Sequence, residues 1–229
     1  MKLVSGFFAC VVALGVGCGG GDDGGSYGDP IDDASAEAAG TQSVEGALDM
    51  TTLAAEPADE SAVGQSMMVY NSLAQMAAIK QSHSQTYSAG LGGDPLGAWD
   101  DGCVSVSGNT ATYTDCDAGG GTVDGTITGS ASSVEMDLTI TTTQAEIHMT
   151  GDLEFSATSL TGYLRYETSV EAGGQSITTT YNGDYDVVLA EGCAVGGQVE
   201  VHYTVGGQAG IDIWAKAEFG PSCGDVTFY

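Results

Sequence analysis

From Cys103 to the C-terminus the chain alternates apolar and polar residues with a period of two. Val134, Met136, Leu138 and Ile140 interleave with Glu135, Asp137, Thr139 and Thr141. Ile147, Met149, Leu153 and Phe155 interleave with His148, Thr150, Asp152 and Glu154. The same alternation runs through Leu160–Val170, Ile177–Leu189, Val199–Val205 and Ile211–Phe219. Successive side chains of a strand point to opposite faces, so each segment has one greasy and one wet side. That is the pattern of an antiparallel sheet packed on one face.

The turns between these segments set a register. Ala172-Gly173-Gly174-Gln175 suits a two-residue hairpin loop. It places Val170 opposite Ile177 and Tyr166 opposite Tyr181. A loop centred on Gln208 places Glu200 opposite Lys216, His202 opposite Trp214, and Cys193 opposite Cys223, three compatible pairings from one register. Consecutive hairpins predict a mainly β fold, a meander curling into a curved sheet, half-barrel or barrel. A β-sandwich is the alternative. Of the apolar positions, Met136, Met149, Tyr166 and Tyr181 are expected to line any ligand cavity within the curve. A membrane-spanning barrel would need a lipid-facing band with aromatic girdles, whereas the polar face here is densely acidic.

Before the strands the pattern changes. Met67, Met68, Leu73, Met76, Ala77 and Ile79 recur near helical spacing between Ser61, an N-cap residue, and Gly90, a stop. This predicts one amphipathic helix over 61–88 covering an opening of the sheet. Such a stripe is ordinarily core packing, although methionines also line adaptable ligand grooves. Residues 18–60 are Gly, Asp, Ala, Glu and Ser with few apolar side chains, which predicts a disordered acidic linker. Val44, Leu48 and Leu53 would give at most a transient helical turn. The domain is then residues 61–229.

Composition narrows the partners. Four basic residues stand against 31 acidic ones, a formal net charge of -27, which repels nucleic acid and anionic membrane surfaces. It attracts divalent cations or basic partners, and its plainest reading is a solvated surface.

Residues 1–17 carry one positive charge at Lys2 and then an apolar run from Leu3 to Val16, too short to span a bilayer. The run ends Leu14-Gly15-Val16-Gly17-Cys18, followed by glycines and paired aspartates. This segment resembles the lipobox signal of bacterial lipoproteins, with Gly15-Val16-Gly17-Cys18 in its four places and the usual leucine one position early. Cys10, after Phe7-Phe8-Ala9, is a poorer match. The resemblance implies that Cys18 is lipidated and becomes the mature N-terminus. It further implies a membrane anchor in the cell envelope, and Gly19 beside the cysteine points to the outer membrane. The glycines and aspartates then form a hydrated leash. An ordinary secretory signal is the other reading. The resemblance covers residues 1–18 alone, and no family is recognised for the folded domain.

Four cysteines remain in an exported chain, which reads as two disulfides. The hairpin register selects Cys193–Cys223, and Cys103 and Cys116 bracket a Gly108-Asn109 turn and pair with each other. Zinc-like spacing is absent from the sequence.

No residue is singled out as catalytic. No serine sits in a Gly-x-Ser-x-Gly elbow. His148 is expected to face Glu167 on the wet side, and a surface hydrolase would need a cleft joining at least two of Glu167, His148, Asp152 and Glu146. Asp115, Asp117 and Asp124, around a glycine-rich bend, are weak calcium candidates that read more simply as turn residues. No cofactor is expected. The reading is a non-enzymatic envelope lipoprotein acting as a binding or interaction module, holding an apolar small molecule or meeting an envelope protein. The alternatives are a surface-anchored hydrolase and a calcium-stabilised adhesion or structural protein.

Overall fold

The computed structural model describes residues 27–53, 66, 69–77, 80, 102–117, 121–143, 145–172, 175–206 and 211–229. The signal segment, Cys18, and the expected helix limits at Ser61 and Gly90 lie outside the described residues, as do Met67, Met68 and Ile79.

Ten strands follow one another in sequence: β1 (Val104–Ser107), β2 (Thr110–Asp117), β3 (Gly121–Gly129), β4 (Ser133–Thr142), β5 (Ala145–Phe155), β6 (Ser159–Ala172), β7 (Gln175–Ala190), β8 (Cys193–Val205), β9 (Ile211–Phe219) and β10 (Val226–Phe228). Each pairs antiparallel with its neighbours in order, a single meander sheet. Among the described residues β1 and β10 do not pair, so the sheet is open rather than a closed barrel, and there is no second sheet to make a sandwich. The registers read from the turns hold: Tyr166 faces Tyr181, Val170 faces Ile177, Glu200 faces Lys216 and His202 faces Trp214. The alternation also holds, with Val134, Met136, Leu138 and Ile140 buried while Glu135 and Asp137 are exposed.

Among the described residues two helices lie on the greasy face. The first, α1 (Ala34–Leu53), occupies the middle of the segment expected to be a linker, and this corrects that expectation. Its start is conventional: Asp33 caps it, accepting the Ser35 amide at 2.9 Å. Its buried face is not conventional. Ala36, Ala39, Gly40, Ser43, Val44, Gly46, Ala47 and Met50 recur every three or four residues and are buried. These residues are mostly too small to register as an apolar stripe, yet their smallness brings the helix in close. A Cβ on Gly40 would lie 2.6 Å from the Ala217 Cβ of β9, and one on Gly46 would lie 2.8 Å from Val69 Cγ2. The second helix, α2, is described at residues 66, 69–77 and 80, inside the span predicted from its apolar spacing. Val69, Tyr70, Leu73, Met76 and Ala77 are buried, and Leu73 fits over Gly183 of β7, where any side chain would strike it.

Two disulfides close the fold as expected. Cys103 is bonded to Cys116, with Cα atoms 5.2 Å apart, and fastens the β1 edge to β2. Cys193 is bonded to Cys223, with Cα atoms 5.7 Å apart, and ties the start of β8 to the β9–β10 connection. In the chain-entropy account each bond contributes about 3 kcal/mol.

Candidate functional site

The four residues expected to line a ligand cavity do share the inner face, but helix covers them. Met136, Met149, Tyr166 and Tyr181 are all buried. The Tyr166 hydroxyl donates to the Ser66 carbonyl of α2 at 2.9 Å. Tyr70 of α2 lays its ring 5.1 Å from Tyr166 and edge-on, 5.4 Å from Tyr181, which in turn stacks on Tyr203. On the α1 side, Ser43 and the Tyr185 hydroxyl share a 2.7 Å hydrogen bond. Loss of hydration pushes the phenols of Tyr70, Tyr166, Tyr181, Tyr185 and Tyr203 above their ordinary value. A carrier holding an apolar molecule here would have to displace helix.

The outer face is open and ordered in rows that cross the strands. One row reads Glu135, Asp152, Tyr163, Asp184, Glu200, Lys216, each the cross-strand partner of the next. Tyr229 completes it by exchanging backbone hydrogen bonds with Lys216. Glu135 and Asp152 are like charges directly opposite, and so are Asp184 and Glu200. Such pairs bring Cβ atoms within about 5 Å and destabilise a sheet. At Asp184 the consequence is a carboxyl held above its usual range, first by loss of hydration and then by Glu200.

His148 lies opposite Glu167, as the register implied, but its ring hydrogen-bonds Asp137 on β4 at 2.9 Å. Glu167 is engaged by Arg165 at 3.3 Å. Asp152 sits further along β5 in the acidic row, and Glu146 stands beyond His148 toward the other end of β5, opposite Thr141 of β4 and Ser169 of β6. The structure therefore sets His148 beside Glu167 on open sheet surface rather than in a cleft. His202 repeats the arrangement with Asp212 at 2.8 Å. Around the glycine-rich bend, the Asp124 carboxylate accepts the Asp115 amide at 2.9 Å, which holds a bulge in β2. Asp117 pairs with Thr122 further on. Among the described residues no group of three or more His, Cys, Asp or Glu is arranged to hold a metal ion.

The densest outer-face cluster gathers at the β9–β10 edge, and sequence reasoning found only half of it. His202 stacks on Trp214, ring centroids 4.0 Å apart. Lys216 Nζ lies 4.8 Å from the Tyr27 ring and 4.7 Å from the Tyr229 ring, and bonds Glu218 at 2.6 Å. Tyr27 meets Trp214 edge-on at 6.4 Å. Its backbone carbonyl accepts Lys80 Nζ from α2. Its phenol is held above its ordinary value by lost hydration and by a hydrogen bond to Glu200. The residues after Tyr27 fix this strap, for Ile31 bridges to Phe228 of β10. The cross-strand pairs were readable in the hairpin; nothing local to Tyr27 announces it.

No protein-family model, curated protein or solved structure matches this chain.

Proposed function

We propose that this protein is a non-enzymatic envelope lipoprotein, anchored through Cys18, that recognises a cationic partner with the outer face of its sheet. One observation carries the reading: among the described residues α1 and α2 cover the inner face, and the outer face is a broad surface where carboxylates stand opposite one another. Like-charge pairs that cost stability in the free protein are relieved by a positively charged partner. The net charge of -27 would steer such a partner from a distance. An apolar small molecule is a weaker candidate because Tyr166 and Tyr181 already contact Tyr70.

Titration calorimetry of the full mature chain with an oligolysine peptide tests the surface. Glu135→Gln with Asp152→Asn should weaken binding far more than Asp32→Asn with Glu45→Gln, which removes equal charge from outside the sheet. Equal weakening by the two pairs would reduce the attraction to bulk charge and end the proposal. The anchor has its own test, the mass of the protein extracted from its envelope, which should carry acyl chains and lose them in Cys18→Ala.

A further inference from the structure

We infer that the β9–β10 edge is the face this protein lays on its own membrane, with Tyr27, Trp214 and Tyr229 seated among zwitterionic phospholipid headgroups. This rests on the reading of Cys18 as the anchor. Tyr27 follows Cys18 by nine residues (27 − 18), so the two are separated by at most about 32 Å of fully extended chain. The fold therefore starts close to the bilayer, and it starts at one edge: Tyr27 packs on Trp214 and Lys216, and Ile31 bridges to β10.

The chemistry of that edge differs from the rest of the molecule. Tyrosine and tryptophan favour the headgroup layer, where an apolar ring and a polar tip are both satisfied. Tyr27, Trp214 and Tyr229 are only half-buried. Cleavage before Cys18 removes Lys2 and leaves three basic residues, Lys80, Arg165 and Lys216. Two of them, Lys80 and Lys216, contact Tyr27. Glu200 and Glu218 stand beside Lys216, and Asp212 beside His202, so the patch offers both signs of charge. That mixture matches a headgroup with both a phosphate and an ammonium, and disfavours a purely anionic surface. With this edge down, β1 stands nine strand spacings away, about 43 Å measured along the curved sheet, and the carboxylate rows face sideways into solvent.

The chain has two tryptophans, so Trp99→Phe leaves Trp214 as the sole indole reporter. The full mature chain, coupled through Cys18 to a maleimide phospholipid in phosphatidylcholine vesicles, receives the same tether whether or not cells acylate it. With lipids carrying a nitroxide on the headgroup, Trp214 emission should be strongly quenched, as for an indole at headgroup depth. An uncoupled Cys18→Ser form should keep its emission. A reporter at the far edge, Val106→Trp with both native tryptophans changed to phenylalanine, should also keep its emission when coupled. Unquenched Trp214 in the coupled protein, or equal quenching at both edges, overturns the proposal. If Trp99→Phe disturbs folding, the difference in emission between the native chain and Trp214→Phe reports the same contact. Absence of acyl chains on envelope-derived protein would refute the anchor alone, because the coupled form still reads which face meets lipid.

Discussion

Tyr166 and Tyr185 show how single polar atoms hold the helices on the sheet. Each ring is buried, and each hydroxyl has one partner across the helix–sheet boundary, the Ser66 carbonyl and the Ser43 hydroxyl. Tyr166→Phe keeps the ring and removes its hydrogen bond to the Ser66 carbonyl, so it should destabilise by about 0.5–1.5 kcal/mol in urea denaturation. Tyr185→Phe should behave alike, and a double-mutant cycle with Ser43→Ala would isolate that bond. A second residue-scale prediction concerns the disulfides. Cys116 is wholly buried whereas Cys223 is exposed. Under mild dithiothreitol, thiol trapping and mass mapping should find Cys193–Cys223 opened first, with a loss of about 3 kcal/mol. Prior opening of Cys103–Cys116 would show that access is set by motion of the β1 edge instead.

At the scale of elements, α1 separates what hydropathy encodes from what packing uses. Alanine and glycine gain little by burial, but they let a helix axis approach, and the close contacts of Gly40 and Gly46 are the result. Helix propensity alone predicts that Gly40→Ala stabilises by about 1 kcal/mol. The 2.6 Å approach to Ala217 argues the reverse, a net loss of about 1–3 kcal/mol from overpacking, measurable as a lower thermal midpoint. A rise in midpoint would mean that α1 shifts away from β9 at little cost. This contrast also explains which parts of the fold were legible. The strands were, because one-sided burial writes a period of two into residues such as Val134–Ile140, and glycine turns fix their register. The apolar spacing of Leu73 and Met76 revealed α2. The face of α1 did not show, since Ala36, Ala39, Ser43 and Ala47 read as spacer composition. Half the edge cluster was hidden for a topological reason: Tyr27 reaches Trp214 only because Ile31 bridges to β10, a contact between chain ends that no local pattern records.

For the whole molecule, the tyrosine layer between helices and sheet makes stability depend on alkaline pH. Tyr70, Tyr166, Tyr181, Tyr185 and Tyr203 all have phenols raised above 10.0 by burial. A group whose folded value lies above its unfolded value holds its proton longer in the native state. Its contribution is complete below about pH 10 and is lost as pH climbs through the higher folded value. The negative net charge acts in the same direction, since every phenolate formed adds repulsion to a chain already at -27. Urea midpoints should therefore be level up to about pH 9 and fall steeply by about pH 11. Tyrosinate absorbance from these five residues should rise together with unfolding. Tyr181→Phe should flatten the slope while lowering the plateau only modestly. Added salt should raise the plateau by screening the outer-face carboxylates, yet leave the alkaline slope in place, because desolvation of buried phenols is not screened by ions. A slope that salt abolished would assign the alkaline transition to surface repulsion and take the tyrosine layer out of the account.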